Sequence, residues 1–243
     1  MRRIATHVLV AVLVAAFVAL GLWQLARRSE SSRATAERAA ALAAPPVGPT
    51  DLADADLAYR HFEGVGVYDV GNELLLRNRT RGFTNGNHVL TPLIFDDADD
   101  NSPGLALIVD RGWVPLEMED VPVADAAPPD GPVAVSGLLM PAERPRGIGP
   151  RDPASGPLTK VFRVDTDRIA VHAGYPVANV YLVLYEQDPA QGGDLPDAGD
   201  LHSVQVGGPP HLSYAIQWFS FAIITSVGYV VLLRRRAAST TSA

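Results

Sequence analysis

The chain has 243 residues, 27 of them acidic and 20 basic, for a formal net charge of −7 and a mean hydropathy of +0.10, with no cysteine. The missing cysteines exclude a disulfide scaffold, a thioredoxin-like motif, covalent c-type haem attachment and cysteine-ligated zinc or iron–sulfur centres. With only Met118 and Met140 beyond Met1, soft ligands for Cu(I) are also scarce.

The average hydropathy hides a partition. Ile4–Leu25 and Leu212–Leu233 are 22-residue runs without an acidic residue, lysine or arginine. About 20 residues cross a hydrocarbon core of roughly 30 Å, so each run predicts a membrane span. A cleaved signal peptide is the alternative for the first run, given Arg2 and Arg3 before it. Its apolar stretch is longer than a signal usually has, and it ends in Trp23, Gln24, Arg27 and Arg28, so an uncleaved anchor is the better reading. Residues 1–28 are therefore read as a cytoplasmic N-terminus with the first span, 29–50 as an Ala-rich stalk and linker, and 51–187 as a folded domain. A polar linker at 188–210, a second span at 211–233 and a basic tail at 234–243 follow. Arg234, Arg235 and Arg236 place the C-terminus in the cytoplasm, and two spans then put the N-terminus there too. One lysine against nineteen arginines fits a GC-rich bacterial genome. The expected location is the cell membrane, with the central domain outside the cytoplasm.

Within the domain, short β-like runs appear at 60–68, 73–78, 88–95, 105–114, 133–140 and 180–186. Asn85-Gly86 predicts a type I′ hairpin turn, and the Asp-rich stretch from Asp96 to Gly104 a solvated loop rather than a calcium site. Residues 105–109 are continuously apolar, as in a strand buried on both faces. The segment from Pro141 to Pro157 is too rich in Pro and Gly for regular structure, and a short helix follows, with Asp165 as its N-cap and Gly174 past its end. The predicted fold is a membrane protein in which two transmembrane α-helices flank a mainly antiparallel β (α+β) extracytoplasmic domain, sheet or open barrel. From Glu30 to Asp200 there are 27 acidic and 13 basic residues, a net charge near −14. That acidity argues against nucleic acid and anionic lipid as partners of the domain as a whole.

On a helix, His211, Tyr214, Trp218, Phe221, Thr225 and Tyr229 share one face. An imidazole at the edge of a span can ligate haem iron, with the rings below it against a porphyrin. The plainer reading is that His, Tyr and Trp populate membrane interfaces anyway. Gln24 and Gln217 each lie beside a tryptophan near the outer ends of the spans, and either pair across the helices or face headgroups and a partner. Arg77, Arg79, Arg81 and Arg111 either hold carboxylates of a ligand such as haem propionates or pair with neighbouring acids, and Trp113 reads as core. No nucleophile elbow, zinc-protease, Walker or dinucleotide motif is present, and the histidines at 61, 88, 172 and 202 lack metal-ligand spacing, so no enzyme is expected.

Gly21-Leu22-Trp23-Gln24 with Arg27, Tyr59-Arg60, Gly66 and Tyr68, Asn78-Arg79, Thr91-Pro92-Leu93, Arg111 to Pro115, and His211-Leu212 with Tyr214, Gln217 and Trp218 together resemble the surfeit-locus-one family. These are membrane factors that assist assembly of cytochrome c oxidase. The resemblance runs from about residue 20 to 236 and departs in the loops and in the segment 141–157. It implies a non-enzymatic chaperone of the respiratory chain. Haem a is the implied cofactor, and oxidase subunit I, the haem a synthase and membrane lipid are the implied partners. It further implies that His211 is the metal ligand, that Tyr214 and Trp218 line the porphyrin, and that Arg79 or Arg111 neutralises propionates. The other reading is a protein-only scaffold that holds subunit I or the synthase without haem. A tethered hydrolase would need a nucleophile pair the sequence lacks.

Overall fold

The computed structural model describes residues 2–54, 56–95, 104–145, 149–191 and 211–241. In chain order the elements are α1 (Arg2–Ala43), β1 (His61–Tyr68), β2 (Leu74–Arg81), β3 (Thr84–Ile94), β4 (Ala106–Pro115) and β5 (Pro132–Pro141), then β6 (Lys160–Val161), α2 (Thr166–Ala173), β7 (Val177–Asp188) and α3 (His211–Thr241). They form two units, one of residues 1–39 and 206–243 and one of residues 40–205.

The helical unit is α1 with α3. Both helices are long and apolar enough to cross a membrane, and only 6% of each apolar window is buried in the protein. A helix apolar all round yet exposed is one whose natural solvent is not water. The Ala-rich sequence carries α1 out of its apolar run to Ala43, and Pro45-Pro46 then ends it.

The second unit is built on a seven-stranded sheet in the order β1-β5-β7-β4-β3-β2-β6, with an extra pairing of β1 to β3. That pairing, Val67 with Ile94 and Tyr68 with Leu93, closes β1, β5, β7, β4 and β3 into a ring. Where the sequence left sheet and open barrel unresolved, closure follows from strand length. At 11 residues β3 outruns β2, which pairs with its first part, and its free end is taken up by β1. Inside the ring lie Phe62, Leu93, Leu107, Val109, Leu139 and Leu182, all essentially buried. The outer face of β2, β3, β4 and β7 is covered by Ile169 of α2 with Leu158, Val161 and Val164, packed on Leu74, Leu76, Leu90 and Ile108. Hence β4 is buried from Ala106 to Val114: one face fills the ring and the other lies in the layer that α2 covers. The pairings are mainly antiparallel, with β4–β7 and β2–β6 parallel.

The helix α2 has the predicted caps. The Asp165 carboxylate accepts from the Arg168 N–H, and Gly174 takes φ 82° just past the end. Three expectations are corrected. The β2–β3 turn is not at Asn85-Gly86 but at Gly82-Phe83, with Arg81 opposite Thr84 and Gly82 at φ 58°. Gly86 is needed elsewhere: a Cβ there would sit 2.2 Å from the Val114 carbonyl oxygen and 2.4 Å from the Trp113 ring. The β domain also starts before residue 51, because Val47 bridges to Phe62 and is buried, and Asp188 belongs to β7 rather than to a linker. The acidic loop at 96–103 and most of the linker, 192–210, lie outside the described residues.

Candidate functional site

In the helical unit, His211 is the first residue of α3. One turn on, Tyr214 is 49% exposed, while Ala215 and Ala222 are buried along the seam with α1. The seam is tight: a Cβ on Gly21 would lie 2.7 Å from the Phe219 ring, so only glycine admits that ring. Below Tyr214, Trp218 stacks on Phe17 of α1 at 6.0 Å and 24°, and Phe221 reaches the same ring at 5.7 Å. Trp218 and Phe221 meet edge to face at 5.9 Å. Further along, the Tyr229 hydroxyl bonds His7 Nδ1, with the rings perpendicular at 5.7 Å. The aromatic face read from the sequence is therefore divided. Its entry, with Tyr214, stays open, and its deeper part welds α3 to α1. Gln217 is exposed, and His7 with Tyr229 supplies a polar link between the helices that the sequence did not suggest.

In the β domain, Arg111 is not a free fork. Among the described residues it is the largest fully buried side chain, paired with Glu73 at 3.1 Å, and the two side chains are 0% and 1% exposed. Its Nη1 also donates to Thr91 Oγ1 at 3.3 Å, and its Nη2 donates to the Ala126 carbonyl at 2.6 Å and to Gln191 Oε1 at 2.9 Å. Thr91 Oγ1 and the Val123 N–H donate to the two Glu73 oxygens. Burial draws the Arg111 guanidinium below its usual value, opposed by Glu73 and by Tyr68, whose ring lies 5.4 Å from it. The same burial pushes the Tyr68 phenol up, with Arg111 opposing. This network pins the segment between β4 and β5 to the ring, and it commits both terminal nitrogens of Arg111 inside the domain, leaving only the buried Nε without a partner. The propionate role expected of Arg111 is incompatible with that packing.

Arg79 differs. It is half-buried on β2 and forms no ion pair with any described residue, while its carbonyl accepts from Trp113 Nε1 at 3.1 Å. Trp113 is core, as expected, with Arg81 above its ring at 5.8 Å.

One cluster was not visible beforehand. His88 Nδ1 lies 2.8 Å from Asp110 Oδ2, the two side chains 15% and 6% exposed, and the Gly112 N–H donates to Asp110 Oδ1 at 3.2 Å. Nearby Tyr181 is held up in pKa by burial first, then by Glu143 and Asp110, with Arg79 opposing. Two register shifts, between Leu76 and Arg79 and between Val89 and Leu90, bring these residues together, and Asn78 and Tyr59 adopt φ 61° and 66° beside them. Only the β3–β4 register could have revealed the pair, since 22 residues separate its members. Among the described residues no set of three His, Asp or Glu side chains is placed to hold a metal.

The residues fit a haem only in part: an exposed tyrosine follows a histidine at the start of α3, and aromatic rings lie one turn deeper. Tyr214 and Trp218 offer a flat apolar wall, and the histidine residue type at the start of α3 is one suited to iron.

Known proteins resemble this chain over most of its length. The SURF1 family pattern matches residues 11–223. An uncharacterised SURF1-like protein of Mycobacterium tuberculosis is 29% identical over 229 residues, covering 91% of this chain and 79% of its own length. A SURF1-like protein of Rickettsia conorii is 25% identical over 233 residues, with 95% and 92% covered. Surfeit locus protein 1 of Arabidopsis thaliana is 25% identical over 260 residues, with 86% and 73% covered. The match runs from within the first long helix, through the β domain, into the start of the last helix, and the chain belongs to the SURF1 family.

Proposed function

We propose that this chain is a non-enzymatic assembly factor for cytochrome c oxidase, set in the cell membrane with both termini in the cytoplasm and the β domain outside. Family membership supports the assembly role, and Arg234–Arg236 after the second apolar helix support the orientation. Its cargo in this reading is haem a, delivered toward subunit I, with the haem a synthase as the source. The observation that carries the haem part is the open aromatic entry of α3, where exposed Tyr214 follows His211 and Trp218 lies one turn deeper. His211 would supply a nitrogen ligand to the iron, and Tyr214 with the side of Trp218 not stacked on Phe17 an apolar wall. Of the two arginines the resemblance names, Arg79 is the one with no ion pair among the described residues. The bound group supplies only its redox-active iron, and the chain holds, shields and releases it.

The test is complementation of a strain lacking this protein. His211→Ala should leave the oxidase subunits present and sharply reduce haem a in subunit I, and unchanged haem a would overturn the cargo role. A second reading, a scaffold that binds subunit I or the synthase without haem, draws on Trp218 being half-buried against Phe17 and so partly committed to pairing the helices. Crosslinks to subunit I that persist in cells making no haem a would favour it.

A further inference from the structure

We infer that the β domain binds a chloride-sized inorganic anion between α2 and the strap at residues 152–158, through the guanidinium of Arg168 and the Nε2–H of His172. The inference does not rest on the haem reading.

Arg168 and His172 stand one turn apart on α2, so their side chains share a face, and both reach the same strap. Arg168 Nε donates to the Pro153 carbonyl and its Nη2 to the Gly156 carbonyl at 2.6 Å, while His172 Nδ1 accepts from the Leu158 N–H at 3.1 Å. Gly156 takes φ 88° where the strap turns, and Leu158 is buried beside Ile169 in the layer that covers the sheet. These bonds fix the hydrogens. Because Nδ1 accepts, the neutral ring carries its proton on Nε2. His172 Nε2 and Arg168 Nη1 are therefore both donors, both are buried, and neither has an acceptor among the described residues.

The charge points the same way. Arg168 is 9% exposed, and a guanidinium stays protonated in a protein. Its side chain bonds two neutral carbonyls and forms no ion pair with any described residue. The carboxylates nearby are engaged elsewhere: Asp165 accepts from the backbone N–H of Arg168, Asp152 from the Phe162 N–H, and Asp69 from Tyr175 and Asn72. A buried charge is costly without a counter-charge, which a water molecule does not bring. Burial and then Arg168 hold His172 below its usual pKa, with Asp69 opposing, so the ring donates a hydrogen bond without adding a second positive charge. Because both donor atoms are buried, the occupant is a small ion lying within the fold rather than a group carried by a macromolecule. Bound there, it ties the strap to α2.

The test is nitrogen-15 NMR of the full-length chain in nonionic detergent, with labelled histidine. Sodium gluconate is replaced stepwise by sodium chloride at constant pH and ionic strength. The His172 Nε2 resonance, assigned by its loss in His172→Asn, should move along a saturating curve while those of His61 and His88 stay in place. Arg168→Met should weaken the apparent chloride affinity about tenfold or more, the loss of one charge-assisted hydrogen bond. That substitution also cuts both strap bonds, so Arg168→Lys, which keeps the charge, is its control and should retain a saturating shift. A His172 resonance indifferent to chloride overturns the proposal and means that water meets the two donors. Equal movement of all three histidines overturns it as a general salt effect, and so does an undiminished response in Arg168→Met. A response lost equally in the methionine and lysine variants would assign the effect to the geometry of the strap and not to a bound anion.

Discussion

Replacing Arg111 with methionine removes the cation from the Glu73 network and leaves a carboxylate that is 1% exposed. The Thr91 hydroxyl and Val123 N–H still donate to it, at 2.9 and 2.8 Å, but no positive charge remains within bonding distance. Stranding one member of a buried pair costs about 3–5 kcal/mol. With a urea slope near 2 kcal/mol per M, the midpoint should fall by roughly 1.5–2.5 M. That is a large share of the 5–15 kcal/mol typical of a whole domain. The measurement is a urea titration of the full chain in detergent, followed by near-ultraviolet dichroism from the packed aromatic rings. Glu73→Gln in the Arg111→Met background removes the stranded charge while keeping an acceptor for Val123, so the double variant should recover part of the loss. A midpoint within about 0.5 M of wild type, with a deficit only in ligand content, would mean that Arg111 serves an outside anion and that its buried pair is dispensable.

Further tests probe the same frame. Gly86→Ala places a Cβ 2.4 Å from the Trp113 ring and 2.2 Å from the Val114 carbonyl oxygen, and overpacking of this kind should cost at least 1–3 kcal/mol, read from the same titration. Gly21→Leu should wedge Phe219 away, and oxidative crosslinking of a Phe17→Cys, Phe221→Cys pair should then slow; an unchanged rate would show that the seam is loose. His172 is kept below its usual pKa by burial first and then by Arg168, with Asp69 opposing, while its Nδ1 accepts from the Leu158 N–H. Because the unfolded chain takes up this proton first, the domain should lose stability as pH falls below 6.5, toward the lowered native value. His172→Asn, which keeps an acceptor for Leu158, should flatten that part of the profile, and an unaltered slope would assign it to other groups.

Much of the architecture was legible because it rests on local signals. Uncharged runs marked the two long helices, β-branched and apolar runs marked most strands, and Asp165 and Gly174 framed α2. What stayed hidden depends on pairing across distance. The Asn85-Gly86 signal lost to Gly82 because Trp113, arriving from β4, needs the space a side chain at 86 would fill. Ring closure was hidden because it turns on how far β3 outruns β2. Arg111 read as a surface fork because its partner Glu73 is 38 residues away, and Thr91 and Ala126 complete the cage from other segments. In the candidate haem site, the common face of Tyr214 and Trp218 was readable from helical spacing, whereas the claim of Phe17 on Trp218 required α1 to be in place.

The central claim is that this chain carries haem a through His211, and an absorption spectrum addresses it most directly. Full-length wild type and His211→Ala would be purified side by side from cells that make haem a. The account predicts a haem a spectrum in wild type that is lost from the variant while its dichroism is unchanged. Equal haem a in both proteins, or none in either, would contradict it.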